Sequence, residues 1–308
     1  MSTVHRDAIV VGVDGTPASL TALDYAVHEG RRIGAHLRLV HVVPSMSVMV
    51  PAPIMAFPPS DLEQRAHAIL ERAAKRARES ASGLFVEAEL AHGPRARALV
   101  DAAKDARMLV VGRDSRSMLD RLLLGDTMAG VAARAECPVV SVPAGWAPDL
   151  TTGLVVVGLK SLDRAEQLLA DAFATASDHQ ARLLVVHAWR LPSAYDDIIA
   201  SRVGEPKWDN RDTAALARLL EPFEAAHPEV ELTSKVIHDY AAHALELAAR
   251  NADLVILARR VIGFPPATHL GGTARHVLRT APCPVRVVPP KPHEDHADEA
   301  PGRAGHTA

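Results

Sequence analysis

Three places in this 308-residue chain combine residue types that could hold an anionic ligand. Asp14-Gly15-Thr16 follows directly on the apolar run Ala8 to Val13. Val42 and Val43 end a second apolar run. Gly112 to Thr127 opens with a glycine after Leu109-Val110-Val111 and closes on Gly125-Asp126-Thr127, ahead of an alanine-rich segment. Glycines let backbone amides approach a phosphate, and a helix N-terminus supplies donors with a partial positive charge. Such residues converge only if the runs before them are strands of one open parallel sheet. Ligands bind such a sheet at the carboxyl ends of its strands, where the winding reverses.

The elements needed for this are legible. Ala8-Ile9-Val10-Val11-Gly12-Val13 is near-continuously apolar, as a strand buried on both faces must be. Thr16 is a good N-cap and Pro17 a good first helical residue, and Leu20, Leu23 and Val27 then recur at helical spacing until Gly34. Leu37 to Val43 reads as the second strand. Ser60-Asp61-Leu62-Glu63 is a capping box opening a long helix that Gly83 ends. Leu84 to Leu90 alternates like a strand nearer an edge, and Pro94 starts a third helix. Met108 to Val111 is the fourth strand, a fourth helix begins near Asp126 with that residue as its expected N-cap, and Pro138 to Val142 is the fifth strand. Strands alternating with helices predict a right-handed, doubly wound parallel sheet.

This order occurs twice. The spacing from Gly112 to Ala258, from Gly125 to Gly271 and from Cys137 to Cys283 is in each case 146 residues. Solenoid units run only about 20 to 50 residues, so a register this long marks a duplicated domain. Residues 1–145 and 146–290 are the expected domains, and 291–308, charged and without an apolar period, is expected to be a disordered tail. In the second copy, Leu154 to Leu159 is a strand, Asp163 to Ala176 a helix and Arg182 to Trp189 a strand. A helix near Asp212 to Ala226, a strand at Val230 to Val236, a helix at Ala242 to Arg250 and a strand at Asp253 to Ala258 follow. A helix after Gly272 and a strand at Pro284 to Val288 close the copy.

Composition narrows the classes further. Apolar residues make up 48% and charged residues 23%, enough for each half to bury a core, while aromatics at 4% leave that core to Val, Leu, Ile and Ala. A net charge of −3 with mixed signs offers no nucleic-acid footprint. No apolar run is long enough for a secretory core or a membrane span, so neither membrane nor nucleic acid is an expected partner. The two cysteines, in equivalent places, are expected to pack as small apolar residues within their own halves, consistent with a reducing cytoplasm.

With these motifs in order, the sequence resembles the universal stress protein family in its tandem form. The resemblance covers 7–143 and 153–289. It rests on Val-Gly-Val-Asp-Gly-Thr at 11–16, Leu-Val-His at 39–41 and Val-Val-Gly at 110–112, with Leu-Leu-Leu-Gly at 122–125 and Cys-Pro-Val at 137–139. It implies two flavodoxin-like, doubly wound, five-stranded α/β domains of the adenine nucleotide alpha hydrolase-like kind. The implied strand order is 3-2-1-4-5, with the two domains paired through their fifth strands as a pseudo-dimer within one chain. The implied role is survival of stress, without turnover of a substrate.

ATP-binding members of that family carry glycine, two residues, glycine, nine residues, then glycine followed by serine or threonine. Gly112 and Gly125 match, Ser115 replaces the middle glycine, and Asp126 stands where a hydroxyl should meet phosphate. Thr127 could supply that hydroxyl instead. Asp14 matches the acidic residue the family places near the nucleotide. The expected cofactor-binding set is therefore Asp14, Gly15, Thr16, Val42, Gly112, Ser115, Gly125, Asp126 and Thr127, with ATP as the cofactor of the N-terminal half. The C-terminal half has Lys160 for Asp14, Ala258 for Gly112, Val261 for Ser115 and Gly272 for Asp126. It is expected to be structural, with no cofactor and with Lys160 in a local ion pair.

The rest of the chain shows no catalytic set. His41 and His187 are repeat equivalents expected to cap the second strand of each copy. No His-x-x-x-His or Cys-x-x-Cys spacing points to a metal, and no serine sits in a nucleophile elbow. The proline- and methionine-rich loop 44–59 is expected to pack across the other half, or else to present a surface to a protein partner. Two readings follow: a non-enzymatic stress protein holding one adenine nucleotide, or a nucleotide-free regulator acting through protein contacts. A homodimer is compatible with both.

Overall fold

The computed structural model describes residues 7–44, 59–113, 126–163, 165–190, 205–262 and 267–290, with backbone only at 59–60, 126, 205–210, 260–262 and 267–269. In the first half the chain forms β1 (Ala8–Gly12), α1 (Pro17–Ile33), β2 (His36–Val43), α2 (Pro59–Ser80), β3 (Val86–His92), α3 (Arg95–Ala102), β4 (Met108–Arg113), α4 (Asp126–Arg134) and β5 (Val139–Pro143). The second half repeats the order: β6 (Leu154–Leu159), α5 (Glu166–Asp178), β7 (Arg182–Trp189), α6 (Glu205–Ala226), β8 (Leu232–His238), α7 (Ala241–Ala249) and β9 (Leu254–Ala258). A short hairpin, β10 (Arg260–Ile262) with β11 (Ala267–His269), precedes α8 (Gly272–Thr280) and β12 (Val285–Val288).

All described strands but the hairpin join one sheet in the order β3-β2-β1-β4-β5-β12-β9-β6-β7-β8. Each half is thus a parallel sheet in the order 3-2-1-4-5, and the halves meet where β5 and β12 pair antiparallel, Val140 opposite Arg286. Helices cover both faces, but they do so differently. On one face α3, α4, α7 and α8 share a continuous apolar core that runs through both halves, from Val10 and Leu109 to Val255 and Val285. On the other face the α1–α2 layer and the α5–α6 layer pack separate cores. A polar junction between α1 and α5 fills that gap.

At this junction Glu29 of α1 is 2% exposed and joins the halves. Its Oε2 lies 3.1 Å from His179 Nε2 and its Oε1 lies 2.6 Å from Arg32 Nη1. Arg286 of β12 donates to Thr175 Oγ1 at 2.7 Å and lies 3.4 Å from Asp171. A cavity of about 150 Å³ lies among these groups. Burial raises the Glu29 carboxyl, but the His179 hydrogen bond and the neighbouring Arg32 outweigh it and hold the group below its ordinary value.

A second device obeys the repeat. Arg113, at the end of β4, donates to the carbonyls of Leu278 and Ala281 at the C-terminus of α8. Its equivalent Arg259 donates to Ala135 O, after α4, at 2.6 Å. The arginines exchange across the pseudo-twofold axis, each at the carbonyl end of the other half's last helix, where a cation is favoured. Cys137 and Cys283 are buried free thiols in this region. Burial pushes them up to about 11 and about 12, with Arg259 and Arg113 opposing the shift only in part. Since the thiolate is the reactive form, neither should react with a disulfide reagent at about pH 8 in the native chain, and both should react once it is unfolded in guanidinium. Fast labelling of the native protein would contradict this burial.

Element boundaries depart from expectation at three informative places. Helix α5 begins at Glu166 rather than Asp163, because Leu162 and Asp163 replace the cap-and-proline pair Thr16-Pro17. Helix α6 begins at Glu205, earlier than Asp212, since Pro206 is tolerated in a first helical turn. The segment around Val261 is not a plain loop but the hairpin β10–β11, with Val261 opposite Thr268. The methionine-rich loop falls outside the described residues, except for Pro44 and Pro59.

Candidate functional site

β1 pairs with β2 on one side and β4 on the other, both parallel, so the winding reverses between β1 and β4. Asp14 follows β1 at this reversal point. The local sequence builds a rigid turn here. Gly15 takes φ +80°, a conformation glycine adopts at no steric cost, and Ile69 of α2 packs against it. Thr16 caps α1 by accepting from Ser19 N at 3.2 Å, with Pro17 next, as the cap-and-proline pair predicts.

Asp14 is locked from two directions. Its Oδ1 accepts from Thr16 N at 2.9 Å and from Thr16 Oγ1 at 2.6 Å. Its own N–H donates to Ser19 Oγ at 3.3 Å. Burial raises the Asp14 carboxyl, but the Thr16 hydroxyl and amide, Ser19 and the charge of Arg95 together hold it below its ordinary value. Asp14 is therefore ionised at neutral pH.

Arg95, the first residue of α3, was not legible as a site residue. Four elements separate it from Asp14 in sequence, and only the fold brings its charge near that residue. Ser19 was missed for a different reason, since a helix-borne serine carries no sequence signature. Val42, near the end of β2, is 8% exposed and belongs to the core it shares with Leu99 and Met128. His41 and His187 place Nδ1 against equivalent carbonyls at the end of the neighbouring strand, 2.7 Å from Val13 O, just past β1, and 3.2 Å from Leu159 O, the last residue of β6. This is the same bond in both halves, and it ties strand two to strand one.

Gly112, the penultimate residue of β4, lies against the first turn of α1. A Cβ built there would lie 2.2 Å from the carbonyl oxygen of Ala18 and 2.8 Å from Ser19 N. Glycine is thus required by the chain's own packing, whatever else the position does. Asp126 is the first residue of α4, one place inside the expected N-cap position, and its side chain lies outside the described residues. Thr127 is half-buried in the first turn of α4. Ser115 and Gly125 lie outside the described residues; Asp14, Gly15, Thr16, Val42, Gly112 and Thr127 lie within them.

In the second half Lys160 follows β6 where Asp14 follows β1. Among the described residues it makes no ion pair, contrary to expectation. Among the described residues, no group of three or more His, Cys, Asp and Glu side chains could hold a metal ion. No described helix is long and apolar enough to cross a membrane.

A doubly wound α/β sheet, duplicated and fused edge to edge, defines the class: a tandem flavodoxin-like protein whose winding reverses once in each half. The chain belongs to the universal stress protein family, whose model matches residues 5–143 and again 153–289. A universal stress protein of Mycolicibacterium smegmatis is 30% identical over 291 residues, covering 92% of this chain and 97% of that one. One from Mycobacterium tuberculosis is 28% identical over 300 residues, covering 91% and 94%. In fold, the chain is similar to a universal stress protein from Archaeoglobus fulgidus, with TM-score 0.72 and 18% identity over 92% of this chain and 98% of that one.

Proposed function

We propose that this protein is a non-catalytic stress-response protein of the cytoplasm that holds one adenine nucleotide, ATP, in its N-terminal half. The proposed domains are 1–145 and 146–290, with 291–308 as a tail, and the proposed ligand set is Asp14, Gly15, Thr16, Val42, Gly112, Ser115, Gly125, Asp126 and Thr127. The observation that carries the reading is Asp14: an exposed, ionised carboxylate, fixed by Thr16 through Oδ1 at the reversal of the winding. An acidic group at that place suits a ribose hydroxyl. The N-terminus of α4 would face the phosphates, with Thr127 supplying the hydroxyl that Asp126 does not. The two buried free thiols support a reducing compartment.

The test is to denature purified full-length protein, chromatograph the released nucleotide, and titrate the emptied protein with Mg-ATP by calorimetry. Asp14→Ala is expected to weaken ATP at least tenfold, about 1.4 kcal/mol. Asp126→Thr is expected to strengthen it by removing a negative charge from the phosphate end. No released nucleotide together with no binding heat would reject the reading. It would favour the competing one, a nucleotide-free regulator whose protein partner contacts the loop 44–59.

A further inference from the structure

The half expected to be merely structural has a cavity of about 250 Å³ at the carboxyl ends of β6 and β9. Its origin is the late start of α5. In the first half the first turn of α1 presses on Gly112. In the second, that turn does not form, because Leu162 cannot cap as Thr16 does. Ala258, in the place of Gly112, accordingly carries its methyl group in an exposed position and lines the cavity. Two further exchanges enlarge the space: Ala188 stands for Val42 and Ala241 for Arg95, and both line it.

The walls are apolar: Leu168, Val186, Ala188, Leu245 and Leu257. The rim is polar and asymmetric. Lys160 is exposed there and makes no ion pair among the described residues. Asp163 also reaches the rim, but it sits three residues ahead of α5, where the helix's N-terminal partial positive charge offsets it. Across from them Gly272 and Thr273 open α8, whose N-cap Gly271 provides no side-chain acceptor. At about 250 Å³ the space falls just under the ~300–1,000 Å³ of drug-sized pockets, so its occupant is small.

We propose that the C-terminal half binds a small molecule with an unbranched apolar body and a carboxylate head, the body lying among Leu168, Val186, Leu245 and Leu257 and the head against Lys160. An adenine nucleotide suits this place poorly. The ammonium of Lys160 replaces the carboxylate of Asp14, and β10–β11 occupies the chain segment equivalent to the 113–125 loop. The proposal is independent of nucleotide in the first half.

Octanoate is the probe, titrated into the full chain by calorimetry and thermal shift, with octylammonium as the same body under the opposite charge and AMP as the nucleotide control. Octanoate is expected to bind at least tenfold tighter than octylammonium. Lys160→Glu, a surface change that spares the fold, should weaken it at least tenfold, and Asp163→Asn should tighten it. Ala188→Leu fills the cavity and should abolish octanoate binding while leaving the circular dichroism spectrum and the response to AMP unchanged. Equal binding of the two probes, octanoate binding that survives Ala188→Leu, or no octanoate binding at all would each overturn the proposal. AMP binding lost on Ala188→Leu would overturn it too, by placing a nucleotide in the cavity.

Discussion

Gly112→Ala is expected to destabilise the protein by about 3–5 kcal/mol, with loss of nucleotide binding following from loss of structure. The added methyl would have to sit 2.2 Å from Ala18 O and 2.4 Å from Ala18 C. These are backbone atoms at the start of a capped helix, not the free end of a side chain that could swing aside. Relief requires moving α1 off the sheet, which breaks the Thr16 cap and the Asp14 turn it anchors. Gly272→Ala is the control. A Cβ there meets nothing within 4 Å, and the residue is helical, so the exchange should be neutral or stabilising by up to about 1 kcal/mol. Urea unfolding followed by circular dichroism compares the two. Similar midpoints for both variants would show that Gly112 is not a packing glycine.

Glu29→Gln should cost about 3–5 kcal/mol at neutral pH, because removing one member of a buried ionic cluster strands the others. Glutamine keeps an acceptor for His179 or Arg32 but not the charge that both face. The expected pH dependence has a definite sign. Glu29 titrates lower in the folded chain than its ordinary value of 4.5, so its stabilisation is complete above about pH 4.5 and is lost as pH falls through the folded value. The stability difference between wild type and Glu29→Gln should therefore be flat from neutral pH to about 5 and shrink on further acidification. A difference that grows toward acid would mean that Glu29 is not ionised in the fold. Because α1 and α5 pack separate cores, this junction is where the halves should part first on that face of the sheet.

The arrangement also says why one half can diverge without loss of fold. The continuous core on the opposite face and the β5–β12 pairing hold the second half in place whatever happens at the end of β6. The repeat-equivalent histidine bonds are kept in both copies, because they brace strands rather than ligands. The carboxylate, the cap-and-proline pair and the close-packed glycine are kept in the first copy alone. Their joint replacement by Lys160, Leu162-Asp163 and Ala258 is one coupled change: without the first helical turn, the glycine is no longer needed.

What the sequence determined by itself is what depends on local preference and period. Apolar runs buried on both faces placed the parallel strands, Thr16-Pro17 and Gly34 set the ends of α1, and the 146-residue register made the molecule a pair of like halves. The turn at Asp14-Gly15-Thr16 was legible for the same reason, since its hydrogen bonds span only a few residues. The tertiary structure alone decided whatever rests on groups far apart in the chain. Arg95 lends its charge to Asp14, Glu29 meets His179 and Arg113 meets the end of α8 through the sheet order, and no local pattern records such proximities. The cavity beside Lys160 belongs to the same class. A space is made by what several distant segments fail to fill, and absence of volume leaves no periodicity to read.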